Sequence, residues 1–284
     1  MLHGTADFDT YWQRVLDEVE ALRGSPVEIN ELPIRNNEVS TAYGATFRGV
    51  GDYPLFAYYT VPRGNGPFPA LFQAPGYGSV VAVPDYRRRG RYAIMALCHR
   101  GQRLSDSGYS AAYPGLLTDG LPHPDQYRWR DIVADCLRAV DVLTARPEAD
   151  GARLAAAGND LAAITAGLRP SVRFLLLNGL LLFRDSHAAL SQSGAYPRQE
   201  LNDYARTYPQ DVEAAGRTLS LFDPIAFAPR IDAETLVTCS PGERGPTEQL
   251  VVALGDKASL TVRSGRGHPD HALEEEWLAD RTGA

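Results

Sequence analysis

Three residues in the second half of the chain could together carry acid–base or nucleophilic chemistry: Asp160, Glu243 and His268. Each follows a short apolar run with strand character, over 153–157, 236–239 and 258–262. Each is therefore expected just beyond the carboxyl end of a strand, where open parallel sheets hold their sites. The first of these turns reads Gly158-Asn159-Asp160-Leu161-Ala162. Its small residues stand at the two positions where a sharp strand–turn–helix needs them, and Asp160 falls where a nucleophilic serine would stand. In chain order the three residues are nucleophile position, acid and histidine. Other roles are open to each of them. Asp160 could be only an N-cap, Glu243 a solvated loop charge, and Asn159 either a pocket residue or a plain turn residue.

The elements that must position these residues follow from periodicity. Phe8, Trp12, Val15, Leu16 and Val19 recur at helical spacing behind Asp7 and Asp9, and Pro26 ends that helix. Strands are expected over 40–47, 55–61, 68–74 and 93–98, then a Gly-, Ser-, Tyr- and Pro-rich loop from Arg100 to about Pro124. Ile132, Val133, Cys136, Leu137, Val140 and Leu143 share one face of a helix over 125–146. After the strand at 153–157 come a helix over 161–167, a strand over 174–177, polar helical sequence over 185–230, two more strands, and a last helix over 273–279. Alternating strands and helices predict an α/β fold with a mostly parallel central sheet covered on both faces. The chain of 284 residues is expected to form one such domain, 1–284, with 185–230 as a small helical cap.

Composition narrows the function. A net charge of −7 argues against nucleic-acid binding, which needs a concentrated positive surface. The one basic cluster, Arg87-Arg88-Arg89-Gly90-Arg91, reads as a solvated turn or a contact for an anionic group. No run approaches the roughly 18 apolar residues of a membrane span, so no membrane partner is expected. Cys98, Cys136 and Cys239 lack metal-ligand spacing, and the first residues lack a signal-peptide pattern; a cytoplasmic location is expected. His99 reads as a packing residue and His271 as a surface one.

Across nearly its whole length the sequence resembles carbohydrate esterase family 7, the acetyl xylan esterases and cephalosporin-C deacetylases of the α/β-hydrolase fold. The resemblance rests on Asp7-Phe8-Asp9-Thr10-Tyr11-Trp12 at the start, and on Ala74-Pro75-Gly76-Tyr77-Gly78 at the oxyanion loop. It continues through Arg100-Gly101-Gln102, Tyr113-Pro114-Gly115 and Tyr127-Arg128-Trp129-Arg130. Thr218-Leu219-Ser220-Leu221-Phe222-Asp223 and Phe227-Ala228-Pro229-Arg230 complete it. The resemblance implies an oxyanion hole from the backbone N–H groups of Tyr77 and Leu161, with Gly76 and Asn159 at the pocket. Arg100 and Gln102 would be structural residues near the site. It implies a small-molecule substrate, no organic cofactor and no metal.

The departures from the family bear on mechanism. The serine of the family's Gly-x-Ser-Gln-Gly is Asp160, its triad aspartate is replaced by Glu243, and its His-Glu is His268-Pro269. The loop after Arg100-Gly101-Gln102 is shorter than the family's interface loop, so the family's ring-like hexamer is not carried over and a homo-oligomer of unstated order stays open. A carboxylate at a helix start is favoured as the anion. It is a poor agent for acyl transfer, because the alkoxide it must expel is far more basic. It can attack an sp3 carbon, as in haloalkane dehalogenases and epoxide hydrolases. It can also serve with His268 in acid–base hydrolysis or in elimination of an acetate-like group. The expectation is a hydrolase with an atypical Asp160–His268–Glu243 site; the alternatives are deacetylation by a His-activated water and a catalytically inactive binding protein.

Overall fold

The computed structural model describes residues 5–179, 186–192 and 194–284. In chain order the elements are α1 (Thr5–Glu20), β1 (Val27–Glu31), β2 (Ser40–Gly49), β3 (Tyr53–Pro62) and β4 (Phe68–Gln73). Next come α2 (Tyr86–Arg89), β5 (Ala93–Cys98), α3 (Arg128–Thr144), β6 (Ala149–Gly158), α4 (Asp160–Leu168) and β7 (Phe174–Leu177). Four helices precede the next strand: α5 (Ser186–Ser191), α6 (Gln199–Thr207), α7 (Val212–Ser220) and α8 (Pro224–Phe227). The chain ends with β8 (Glu234–Cys239), α9 (Arg244–Leu254), β9 (Ala258–Val262) and α10 (His268–Thr282).

The nine strands of the described residues form one sheet in the order β1-β2-β3-β5-β4-β6-β7-β8-β9. The first pairings, β1 with β2, β2 with β3 and β3 with β5, are antiparallel. From β5 onward every neighbouring pair is parallel. The expected mostly parallel sheet is thus observed.

Alternation along the central strands shows why both faces are covered. On β4, Ala70 and Phe72 join the larger core with α1, α3 and α4, while Leu71 joins a second core with Leu278 of α10. On β6, Leu154 and Ala156 face the first core, and Ala155 and Ala157 the second. β7 repeats the pattern with Leu175 and Leu177 against Leu176. Successive side chains on a strand point to opposite faces, so apolar residues at both parities require two apolar layers. On the first face, Trp12 of α1 packs edge-on to Phe222 and Phe227 with centroids 5.2 and 5.3 Å away. Its indole N–H donates to the Leu221 carbonyl at 3.1 Å.

Some elements differ from the sequence-based expectation. β1, an edge strand, and α9 had not been anticipated. In β1 the sequence Val-Glu-Ile-Asn-Glu buries only one face in part, so its apolar signal is weak. α10 begins at His268 rather than at Leu273, with Gly267 at its N-cap and Pro269 in its first turn. That start suits proline, whose missing N–H is unneeded there. The helix over 125–146 begins only at Arg128. Of the stretch 185–230, residues 185 and 193 lie outside the described residues; the described remainder is largely helical.

Candidate active site

A cleft of about 320 Å³ opens where β4, β6 and β7 end, lined by Gln73, Ala74, Gly76, Arg88, Gly158 and Asn159, with Ala157, Asn178 and Gly179 completing it. The chain leaves β4 for β5 on one side and returns to β6 on the other. The cleft therefore sits at the topological switch point, the usual place for a ligand in an open α/β sheet. A larger cavity of about 470 Å³ lies between α1, α7 and the turn at Pro122–Asp125. None of its lining residues comes from the ends of the parallel strands, and it has no such positional reason to be the site.

The floor of the cleft is the turn from β6 into α4. Gly158 takes φ +142°, a conformation that glycine alone adopts readily. A Cβ there would stand 3.0 Å from the Ala74 Cβ. The helix starts one residue earlier than the sequence suggests. Asn159 is its N-cap and Asp160 is already its first residue, so the side chain on the cleft wall is that of Asn159. Asp160 is fully buried and does not line the cleft. Asn159 also ties the two turns together: its Nδ2 donates to the Pro75 carbonyl at 3.0 Å. Its Oδ1 accepts the Leu161 N–H at 2.9 Å, so that expected oxyanion donor already has an acceptor. An N-cap asparagine satisfies an otherwise unpaired helix donor in this way.

The other wall is the turn after β4. Gln102, fully buried, donates through Nε2 to the carbonyls of Gly76 at 3.1 Å and Gly78 at 2.7 Å, so one amide grips both sides of Tyr77. Its Oε1 accepts the His99 N–H at 3.0 Å. Arg100, two residues before Gln102, is anchored elsewhere. It donates to both carboxylate oxygens of the buried Asp135, at 2.7 and 3.0 Å, to Asp131 at 2.9 Å and to the Val50 carbonyl at 3.1 Å. The Tyr77 side chain turns away into an aromatic cluster with Tyr113, Trp129 and Tyr196. Its hydroxyl donates to Glu200 of α6 at 2.6 Å. Burial, and next the Glu200 carboxylate, push that phenol well above its usual range.

The three residues singled out for chemistry do not meet. His268 is exposed at the start of α10, and its Nε2 lies 3.2 Å from Nη2 of Arg87. Glu243 accepts the Ser240 N–H and hydroxyl at 3.1 and 2.7 Å, closing a capping box before α9. Among the described residues, neither Asp160 nor Glu243 forms a hydrogen bond or ion pair with His268. The sequence-based placement of all three at neighbouring loop tips fails locally: two became helix-start residues, and the third bonds to its own turn.

Several groups around the cleft had not been anticipated. Asn178, on the lining, donates to Glu274 at 3.2 Å. Glu274 is buried on α10, accepts from the Thr238 hydroxyl at 2.6 Å and pairs with Arg263 at 3.3 Å. Glu200, also buried, holds the Gly115 and Leu117 N–H groups as well as Tyr77. No motif marks a lone glutamate inside a helix, so neither had a sequence signal. Arg87 and Arg88 did have one, the basic cluster, but not their place beside His268 and the cleft. His271 is exposed, as expected, and His99 is fully buried with Nδ1 2.7 Å from the Arg100 carbonyl.

A mostly parallel sheet wrapped on both faces, with a polar cleft beyond its switch point and a strand–turn–helix at the floor, defines an α/β-hydrolase fold. The chain belongs to the acetyl xylan esterase (AXE1) family, whose profile matches residues 3–242. It is 26% identical over 258 residues to acetyl esterase Axe7A of Xylanibacter ruminicola, covering 82% of this chain and 55% of that one. It thus spans about half the length of that relative. Among solved structures it is similar to an acetyl xylan esterase from Paenibacillus sp. R4, with a TM-score of 0.84 and 21% identity over 99% of this chain and 96% of that one. Acetyl xylan esterase 1 from Thermoanaerobacterium sp. JW/SL YS485 gives 0.78 and 23%, over 97% and 93%. These two likenesses bear out the fold, and the profile match bears out the family resemblance read from the motifs.

Proposed function

We propose that the protein hydrolyses acyl esters of small, oxygen-rich molecules in the cleft at the ends of β4, β6 and β7, a deacetylase-type reaction with water as nucleophile. The observation that carries this reading is the double grip of Gln102 on the carbonyls either side of Tyr77. It holds the Tyr77 peptide in one orientation beside the cleft, as a preorganised oxyanion donor must be held. Family membership supports the same chemistry. His268 is the base: its Nε2 takes a proton as the water oxygen adds to the acyl carbon. The ester C–O bond then breaks, and the leaving alkoxide takes that proton back. The polar lining amides, Asn159 and Asn178, suit hydroxyl-rich substrates.

Asp160 has no covalent part in this scheme, because its carboxylate is buried away from the cleft surface. The elimination route and attack on an sp3 carbon both need it there. A cytoplasmic site of action belongs to the proposal: Cys98, Cys136 and Cys239 are buried and none forms a disulfide.

The test is acetate release from p-nitrophenyl acetate and from an acetylated sugar, run in 18O-labelled water. Turnover lost in His268→Ala, with label in acetate and none in the Asp160 carboxylate, is expected. Label in Asp160 would assign it as a covalent nucleophile instead. No turnover of either ester would favour a second reading, a non-catalytic binding protein, which the Asn159 contact to the Leu161 N–H specifically supports.

A further inference from the structure

Arg87 is exposed and lies against the nitrogen that the base must use. Two other guanidiniums of this region are already paired. Arg88, on the cleft wall, pairs with Glu275 at 2.6 Å, and Arg263 pairs with Glu274. Among the described residues Arg87 forms no ion pair; its side-chain polar contact is His268 Nε2. A guanidinium can only donate, so Nε2 facing it must be an acceptor, and the ring proton sits on Nδ1. While its lone pair is so engaged, Nε2 takes no proton from water, so a neutral ester turns over only during the fraction of time that Arg87 is turned away.

We infer that the substrate carries an anionic oxygen group, a carboxylate or a phosphate, close to its acyl ester, and that Arg87 binds this group and in doing so uncovers His268 Nε2. A carboxylate or phosphate forms paired charge-assisted bonds with a guanidinium, stronger than a single bond to a neutral imidazole. The anion therefore displaces the histidine as Arg87's partner. Arg266, two residues before His268, is exposed as well and forms no ion pair among the described residues. One positive side chain thus selects the substrate and masks the base in its absence. The catalytic half of this inference rests on the ester-hydrolase reading above; the anion site does not.

The test compares acetoxyacetate and 2-acetoxyethyl phosphate with the neutral 2-methoxyethyl acetate. One or both anionic esters should show kcat/KM at least about tenfold above the neutral one. The larger advantage identifies carboxylate or phosphate as the preferred group. Arg87→Gln should erase the advantage and raise the rate on the neutral ester, while Arg91→Gln should do neither. Equal kcat/KM for all three esters in the unaltered protein overturns the inference and leaves the hydrolase reading standing. Anion binding is read separately, by titrating the His268 ring resonances with glycolate and with methyl phosphate. A saturable shift lost in Arg87→Gln, without hydrolysis of any ester, would retain the anion site and discard the hydrolase. No shift with either anion refutes the site outright.

Discussion

The side-chain oxygen of Asn159 accepts the N–H of Leu161 at 2.9 Å, so the turn below the cleft satisfies with its own amide a donor that the family resemblance marks for an oxyanion hole. The same side chain reaches across to Pro75. One residue therefore caps α4, bridges the β4 and β6 turns and occupies an expected oxyanion donor.

Asn159→Gly should open that donor at modest cost. Exchange of an N-cap asparagine for glycine costs only a few tenths of a kcal/mol. Loss of the bond to Pro75 adds about 1 kcal/mol. Thermal melting should show a drop of a few degrees, and p-nitrophenyl acetate hydrolysis should rise. A lower rate in a folded variant would mean that the Asn159 amide assists the reaction and does not mask it.

Gln102→Ala should release the loop that Gln102 grips through Gly76 and Gly78. The loss of one oxyanion donor in other enzymes lowers kcat by about 10²–10³-fold, and mispositioning the Tyr77 N–H should approach the lower figure. KM for a small ester should change much less. A variant that loses stability but keeps its kcat would assign Gln102 a purely structural part.

Gly158→Ala meets two obstacles at once, a positive φ and a contact 3.0 Å from the Ala74 Cβ. Alanine where φ is positive costs more than about 1 kcal/mol, and the crowded contact adds to it. Chemical denaturation should report a stability loss above that figure. No change would show that the turn relaxes into another conformation.

Stability should fall on acidification because of His99. Burial lowers its pKa to about 4 from an ordinary 6.5; the Arg100 carbonyl, accepting from the ring, opposes this. Below pH 6.5 the unfolded chain binds a proton that the folded one refuses. Stability is therefore unaffected above that pH and declines progressively down to about pH 4. At 1.36 kcal/mol per pKa unit, the full loss is on the order of 3 kcal/mol. Urea melts across this range should show a shallower decline in His99→Gln; an identical pH profile would contradict a neutral buried imidazole.

Much of the fold was legible in the chain itself. Apolar residues at both parities of 68–73, 153–157 and 174–177 required a sheet buried on two faces, and helical spacing from Phe8 to Val19 and from Ile132 to Leu143 supplied covering layers. Arg100 and Gln102 stood out only through the family motif they belong to; their partners, Asp135 and the loop carbonyls, came from the tertiary structure. β1 escaped because an edge strand half open to solvent has almost no apolar pattern, and Glu200 and Glu274 escaped because a buried carboxylate is written no differently from an exposed one.

What the sequence determined by itself was therefore most of the elements, those whose periodicity follows from backbone geometry within a few residues. What tertiary structure alone decided was which side chains meet. Helix α4 starts one residue early, which buries Asp160 and turns Asn159 to the cleft, and Arg87 finds His268 across 181 residues of chain. Such contacts depend on where each helix begins and on the path of every intervening loop, and displacing a helix start by one residue rotates a side chain by about 100°.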